Sequence, residues 1–416
     1  MVESNVVTVT SRAEPKPPVG VIESLSIGFE TVVSHIWLIV IPVVLDVFLW
    51  LGPRLSVSSL SQRFTAIWAA LQQQSAGGAP SATDIQFLND LSERLNVFSL
   101  FSTAPVGVPS LMVENLLTRL SQTQPPIFFS NSSWRLFSWI LNATLGSSAG
   151  LQEQPALINT DWQIYVILMA IMFLLMNIVT LLTPGLGASR FVGQSLPGAA
   201  AGWVVSSEWQ FLLLSLGFTI AGLLLSAIYM SQVGSVVREE KPKVGDVFRR
   251  SMINWAKLTA LNVLFRAFAV LVGLPALLII GVLQLVSPVL AGLFGSVLVT
   301  VFLWLMVYIS FTMQSVVLQD RGVFGAIWDS VRLVQVSLLS VVGLLLTGFL
   351  LNWGMNYIWS LPSPDSWLTL ASIAGHAFIS TGLLAATFVF YKDRRRWWNE
   401  MRQWLMTQKR TTVERR

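Results

Sequence analysis

The stretch AFAVLVGLPALLIIGVLQLVSPVLAGLFGSVLVTVFLWLMVYISFTMQSVVLQ, residues 267–319, contains no Asp, Glu, Lys or Arg. A helix needs about 20 apolar residues to cross the hydrocarbon core of a bilayer, so this run is long enough for two crossings. Its middle holds Ser287-Pro288, which suits a tight turn between an antiparallel pair, and Pro275 suits a kink in the first arm. Similar silences separate Asp161 from Arg190, Glu208 from Arg238, Arg332 from Asp365, and Asp365 from Lys392. Backbone amides in lipid must be satisfied within the segment, so these runs are read as helices.

Spans are therefore expected at 31–51, 162–182, 209–232, 258–286, 289–317, 336–359 and 367–391. The fold class is all-α, a polytopic transmembrane helical bundle of about seven spans. Five regions follow: a polar N-terminal tail at 1–30, the first transmembrane helix at 31–51, an insertion at 52–161, the bundle at 162–391, and a basic and aromatic tail at 392–416. Composition agrees, with 54% hydrophobic and 11% charged residues and a mean hydropathy of +0.66. A water-soluble globule could not easily cover so much apolar surface.

The net charge of +5 does not point to nucleic acid, because the cations cluster at segment ends, as the positive-inside bias requires. Arg238, Lys241, Lys243, Arg249, Arg250 and Lys257 lie in 232–257, and nine Lys or Arg follow residue 391. Both stretches are expected in the cytoplasm, with the protein multi-pass in the cell membrane. Seven crossings would then put the N-terminus outside. One further re-entrant or crossing element would reverse that, and Val97 to Val113, interrupted by Pro105 and Pro109, is the natural candidate.

The insertion is not featureless. Leu60, Phe64, Ile67, Trp68 and Leu71 recur at helical spacing, as do Leu88, Leu91, Leu95 and Phe98, so amphipathic helices are expected. They can pack together as a small cap on the membrane or lie in its interface. The chain has no cysteine, which excludes disulfides and thiolate metal sites, and only two histidines, His35 and His376. No cofactor or metal is expected.

Two stretches have a similar form. Lys243-Val244-Gly245-Asp246-Val247-Phe248-Arg249-Arg250 with Trp255, and Val316 through Phe324 with Ala326, Ser330, Leu333 and Val334, each enter a helical hairpin. In these stretches the chain resembles a broad family of bacterial multi-pass proteins related to the membrane domain that accompanies some glycerophosphodiester phosphodiesterases. The resemblance covers about 210 to 391. It implies a bundle of about six helices with amphipathic juxtamembrane stretches. The phosphodiesterase itself is a separate barrel with paired His and several Glu, for which this chain has no segment, so no catalytic residue carries over and the chain is not expected to be an enzyme.

Five polar residues in the spans are candidates for function. Asp46 sits in Val43-Val44-Leu45-Asp46-Val47-Phe48, where an ionised carboxylate must be paired or neutralised. Arg266 could pair with it, or each could instead reach its own interface. His376, with Asn352 and Asn356 of the preceding span, could form a relay or ligand site, or simply hydrogen-bond between helices. In the tail, Arg394, Arg395 and Arg396 with Trp397, Trp398 and Trp404 are expected at the lipid interface, cations toward anionic headgroups and rings in the headgroup zone. The leading expectation is a non-catalytic scaffold or accessory subunit that binds lipid or a partner membrane protein. The alternative is a transporter of a small or amphipathic substrate.

Overall fold

The computed structural model describes residues 15–56, 96–102, 108–109, 203–240, 244–319, 321–359 and 366–414, with Ser59, Gln62, Leu361 and Pro362. Its helices are α1 (Val21–Ser34), α2 (Val40–Leu51), α3 (Glu208–Val237), α4 (Val244–Val286), α5 (Pro288–Ile309), α6 (Thr312–Gln319), α7 (Val323–Trp359) and α8 (Leu368–Glu414). The only strands among the described residues are two-residue pieces, β1 (Leu55–Ser56) and β2 (Trp203–Val204), paired in parallel. This is an all-α membrane protein, in which five helices are individually long and apolar enough to cross a bilayer. The expected span at 162–182 and nearly all of the insertion lie outside the described residues.

α8 is the axis of the bundle. Two thirds of its apolar window, 67%, is buried, against 6% for α4 and for α5, and it packs on α1, α2, α3, α6 and α7. Its small residues explain the difference. A Cβ placed on Gly28 of α1 would lie 2.5 Å from the backbone nitrogen of Ala386, and one on Gly382 would lie 2.4 Å from the ring of Phe29. Lipid supplies no hydrophobic drive for helices to associate, so such close backbone approach carries the van der Waals attraction that does. The α4–α5 hairpin turns at Ser287, which is extended, and Pro288 opens α5 where no amide hydrogen is needed. Pro275 lies inside α4, which continues through it. α7 breaks at Ser337 (φ −132°, ψ 34°), so the amphipathic turns at 323–336 are set off from the span as the sequence suggested. The matching turns at 244–250 belong to α4 without interruption.

The first span departs from the single helix expected at 31–51. It is a pair, α1 and α2, bent by 93° at His35 and a 3-10 turn, Ile36–Ile39. Pro42 accounts for the position of the break. In one unbroken helix its ring would meet the carbonyl of Leu38 and a backbone bond would be lost, whereas here it falls in the first turn of α2, where the missing N–H costs nothing.

Hydrogen bonds place the two ends of this pair. The Val19 amide donates to Asp393 Oδ2 at 2.7 Å, while the ring of Trp50 stands 6.0 Å from that of Trp367. Trp367 and Asp393 are about 39 Å apart along α8. The pair therefore runs from one end of the bundle to the other, which brings to six the segments long and apolar enough to cross a bilayer among the described residues.

The same contacts bear on the sidedness that the sequence leaves open. Lys392 Nζ donates to the carbonyl of Val237 at 2.8 Å, so α3 ends on the face where the C-terminal tail leaves the bundle. Val19 lies on that face too, not opposite it. The chain departs at Ser56 and returns at Trp203 on the far face, because the Trp203 amide donates to Arg54 O at 2.8 Å and the Val205 amide to Ser56 O at 2.9 Å.

Exposed aromatic residues mark both ends, with Phe248, Phe324, Trp328 and Trp398 on the tail face and Trp203, Trp209, Tyr357 and Trp367 on the far face. Trp367 and Trp398 are about 46 Å apart along α8. That is close to the roughly 40–45 Å between the two interfacial zones of a bilayer.

Candidate functional site

Several polar side chains inside the bundle bond across helices, while other buried polar atoms, among them Asn254 Oδ1, Gln314 Oε1 and Asn352 Oδ1, have no hydrogen-bond partner among the described residues. Tyr229 Oη of α3 donates to Thr381 Oγ1 of α8 at 2.9 Å. Asn254 Nδ2 of α4 donates to Ser231 Oγ of α3 at 2.9 Å. Gln314 Nε2 of α6 donates to Thr387 Oγ1 of α8, also at 2.9 Å. Ser330 Oγ donates to Tyr308 O at 2.8 Å and accepts from the Phe311 amide at 3.1 Å. These bonds cross from helix to helix, and each contributes about 0.6–1.7 kcal/mol in a membrane. Apart from Ser330, the hydroxyl partners were not singled out from sequence, since a lone Ser or Thr in an apolar run carries no local sign of where it points.

The sequence candidates are distributed as follows. Asp46 is fully buried, on the face of α2 that also carries Pro42, Leu45, Leu49 and Trp50. Arg266 is half-buried in α4, and among the described residues no ion pair joins the two. The reason is architectural, because α2 lies on α8 whereas α4 lies on α3 and α5. His376 is buried in α8, in line with Thr369, Ser372 and Ser380, which are buried too and recur at helical spacing. Asn352 is buried in α7 between two contacts that bracket His376: Gly348 against Leu383, and the Trp359 ring against Gly375. Asn356 belongs to α7, and its side chain lies outside the described residues. The structure thus brings Asn352 and His376 onto adjoining helices and keeps Arg266 away from Asp46.

Non-helical backbone also enters the bundle. The turn Val97–Phe101, capped by Asn96, packs on α3 so closely that a Cβ on Gly222 would lie 2.5 Å from Phe101 O. Gly222 is about 21 Å from either end of α3. Irregular backbone at that depth is tolerated only when protein covers it, and Phe48, Phe98, Phe101 and Phe218 stack around it at centroid distances of 5.0–6.5 Å. It falls where the sequence suggested a re-entrant element.

The densest charged constellation lies on the tail face, where α3 and α6 end against the extension of α8. Both helices present unsatisfied carbonyls there, and cations cap them. Lys392 reaches Val237 O, and Arg238 donates to Val317 O. Asp329 of α7 takes Arg395 at 2.8 Å and Arg321 at 3.6 Å, and Arg395 also donates to Tyr391 Oη at 3.2 Å. Asp393 takes Arg396 at 2.8 Å together with the Val19 amide. Arg394 donates to Val19 O at 3.3 Å, and its guanidinium lies 4.9 Å from the centre of the Phe390 ring.

The tail residues assigned to the lipid interface therefore divide. Arg394 and Arg395 are half-buried and turn into the bundle, Trp397 and Trp404 are half-buried, and Arg396 and Trp398 remain exposed. α8 continues from the span to Glu414 as one helix. Because Asp329 and Arg395 form a half-buried pair, Asp329→Asn is expected to lower stability by about 1–3 kcal/mol, read as a lower midpoint of thermal unfolding in detergent. An unchanged midpoint would assign the contact no structural weight.

Glu240 joins α3 to α4 through Arg250, with Arg238 at 3.6 Å. The Arg250 hydrogen bond holds this carboxyl below the usual carboxylate range against the opposing effect of burial, and Arg238 adds to it. A depressed folded-state value means that this stabilisation is present at neutral pH and is lost as pH falls through the folded pKa. The pair is largely exposed, so the effect is expected to be under about 1 kcal/mol. Amide protection across 236–240, taken relative to the intrinsic exchange rate at each pH, should fall in acid for the wild type and change less in Glu240→Gln.

A cavity of about 480 Å³ opens among these groups, bounded by Arg238, Lys392, Arg395 and Arg396 and by Glu240 and Glu400, with Gln319, Asn399 and Gln403. Among the described residues no group of three or more His, Asp or Glu converges as a metal site would need. No family model, curated protein or solved structure matches the chain.

Proposed function

We propose that this chain is a non-catalytic scaffold or accessory subunit of the cell membrane, with its C-terminus in the cytoplasm, that binds anionic lipid or a partner membrane protein. The observation that carries this reading is the pairing of intramembrane polar groups with one another, Tyr229 with Thr381, Asn254 with Ser231 and Gln314 with Thr387, while the charged cavity opens on the tail face. A solute path needs polar groups turned toward a water-filled route at mid-membrane. The cytoplasmic assignment of the tail face rests on the cations of 238–257 and 392–416. Kinship with the bacterial multi-pass family resembled by 210–391 remains part of the same proposal.

A second reading has its own support. The broken span at His35 and the turn against Gly222 are the kind of interrupted backbone on which transporters build substrate sites. Native purification followed by identification of associated proteins and lipids separates the two. A scaffold is expected to retain a membrane-protein partner or anionic lipid in fixed ratio and to leave proteoliposomes tight to solutes. Solute flux through proteoliposomes containing this protein alone would replace the scaffold with the transporter.

A further inference from the structure

We propose that the tail-face cavity between the ends of α3 and α6 and the extension of α8 is a discrete site for one phosphate-bearing lipid headgroup. This rests on the lipid-binding reading above and makes it specific to named side chains.

Depth is the first argument. The cavity runs along α8 from Lys392 to Gln403 and so straddles Trp398, which stands exposed at the tail-face end of the bundle. Aromatic rings settle at headgroup level, so the cavity opens at the level of the lipid phosphates.

Charge is the second. Four cations and two carboxylates line it, and the helix C-termini that would repel an anion are already capped by Lys392 and Arg238. The side chain of Arg396 is 67% exposed and meets only one carboxylate oxygen of Asp393, which leaves donors free to turn toward a ligand. Lys392 is 41% exposed beside the same opening, where it also meets Glu239 at 3.5 Å.

Neutral hydrogen-bonding groups are the third. Gln319, Asn399 and Gln403 add amides that can donate to phosphate or glycerol oxygens, and Leu318 supplies an apolar wall. The volume of about 480 Å³ falls within the usual range of small-molecule sites.

The test uses the full chain in detergent, with native mass spectrometry as the readout. Phosphatidylglycerol and phosphatidylcholine are the probes, and glycerol 3-phosphate is the soluble competitor. One phosphatidylglycerol is expected to bind saturably and in preference to phosphatidylcholine. Arg396→Gln and Asn399→Asp are each expected to weaken it roughly fivefold, the value of one lost or one added charge near an anionic headgroup. Asn399 is exposed, so its substitution leaves the fold intact. Arg402→Gln removes a charge from the same helix outside the cavity and is expected to change affinity less than twofold.

Equal weakening by Arg402→Gln would overturn the site in favour of diffuse attraction to the leaflet. Unchanged binding in both cavity variants, or equal binding of the two lipids, would overturn it outright. Displacement by glycerol 3-phosphate at matching concentration would keep the phosphate site and assign it to a soluble ligand, whereas resistance to it keeps the lipid. The partner and flux experiments do not depend on these variants, so the cavity can fail while the scaffold reading stands.

Discussion

Replacing Gly28 by alanine, and more so by leucine, is expected to detach the N-terminal half-span from the bundle. The added Cβ would fall 2.5 Å from the Ala386 nitrogen, 2.6 Å from its Cα and 2.7 Å from its Cβ. Two of these three atoms are backbone, so no rotamer change can relieve the overlap, and α1 must move away from α8. Displacement also strains the Val19 amide bond to Asp393 and the seat of Phe29 on Gly382. Overpacking usually costs about 1–3 kcal/mol, and rigid backbone on both sides places the leucine variant at about 3 kcal/mol or above.

The absence of native cysteine makes the measurement direct. Val21 Cγ2 is 3.7 Å from a Cβ built on Gly343, so a Val21→Cys, Gly343→Cys pair should cross-link in the parent and fail to do so with Gly28→Leu. Gly217→Leu, at a position with no heavy atom within 4 Å of the added carbon, should leave the cross-link intact. Efficient cross-linking in the Gly28→Leu background would mean that α1 does not lie on α8 through this glycine.

Single cysteines at Lys16 and Thr407 are expected to be labelled together, and those at Trp203 and Trp367 together, with opposite accessibility. All four positions are exposed. Lys16 precedes Val19, which is bonded to Asp393 on the tail face, and Trp203 is bonded to Arg54 on the far face. With an impermeant maleimide on intact cells, the Trp203 and Trp367 positions should react and the other two only after permeabilisation. If all four positions reversed, the orientation would be inverted and the fold would stand. If Lys16 and Trp203 reacted from one side, the broken span would not cross. A Ser56→Cys, Val204→Cys disulfide tests the pairing across the intervening chain independently, since these residues face each other in the β1–β2 register.

The spans from 209 to 391 were legible because burial in lipid is a composition rule that each segment obeys alone. Residues 267–319 announce a hairpin without reference to any other part of the chain, and Ser287-Pro288 marks its turn. The first span was legible as apolar but not as broken. Pro42 was visible, yet whether a helix kinks at a proline or stops before it depends on what receives the two halves, here α8 for both. The side of the N-terminal region was left open by the sequence for a related reason. Parity counting propagates an error in any one segment to the end of the chain, whereas the Val19–Asp393 bond depends on two residues only.

Among the polar candidates, Asp46 and His376 stood out because ionisable groups are rare in lipid. Both are buried, and of the two arrangements left open for Asp46 and Arg266 the described residues show no ion pair between them; the sequence says that a buried charge needs a partner without saying which helix brings one. The tail cations show the same division. Nine Lys and Arg after residue 391 are plainly a flank. Lys392 as a cap on α3, Arg395 as the partner of Asp329 and Arg396 as the exposed member become distinct only once three helix ends meet.

The amino-acid order alone determined the solvent, the helical class and the axial position of most spans, because transfer from water to hydrocarbon acts on each segment in its own right. Tertiary structure decided which helix is central, where the first span breaks, which face Val19 shares with the tail, and which cations remain available. Those outcomes depend on backbones meeting at Gly28 and Gly222, on the Phe29 ring seated on Gly382, and on charges from distant segments arriving within bonding distance, and no local window of the chain contains any of them.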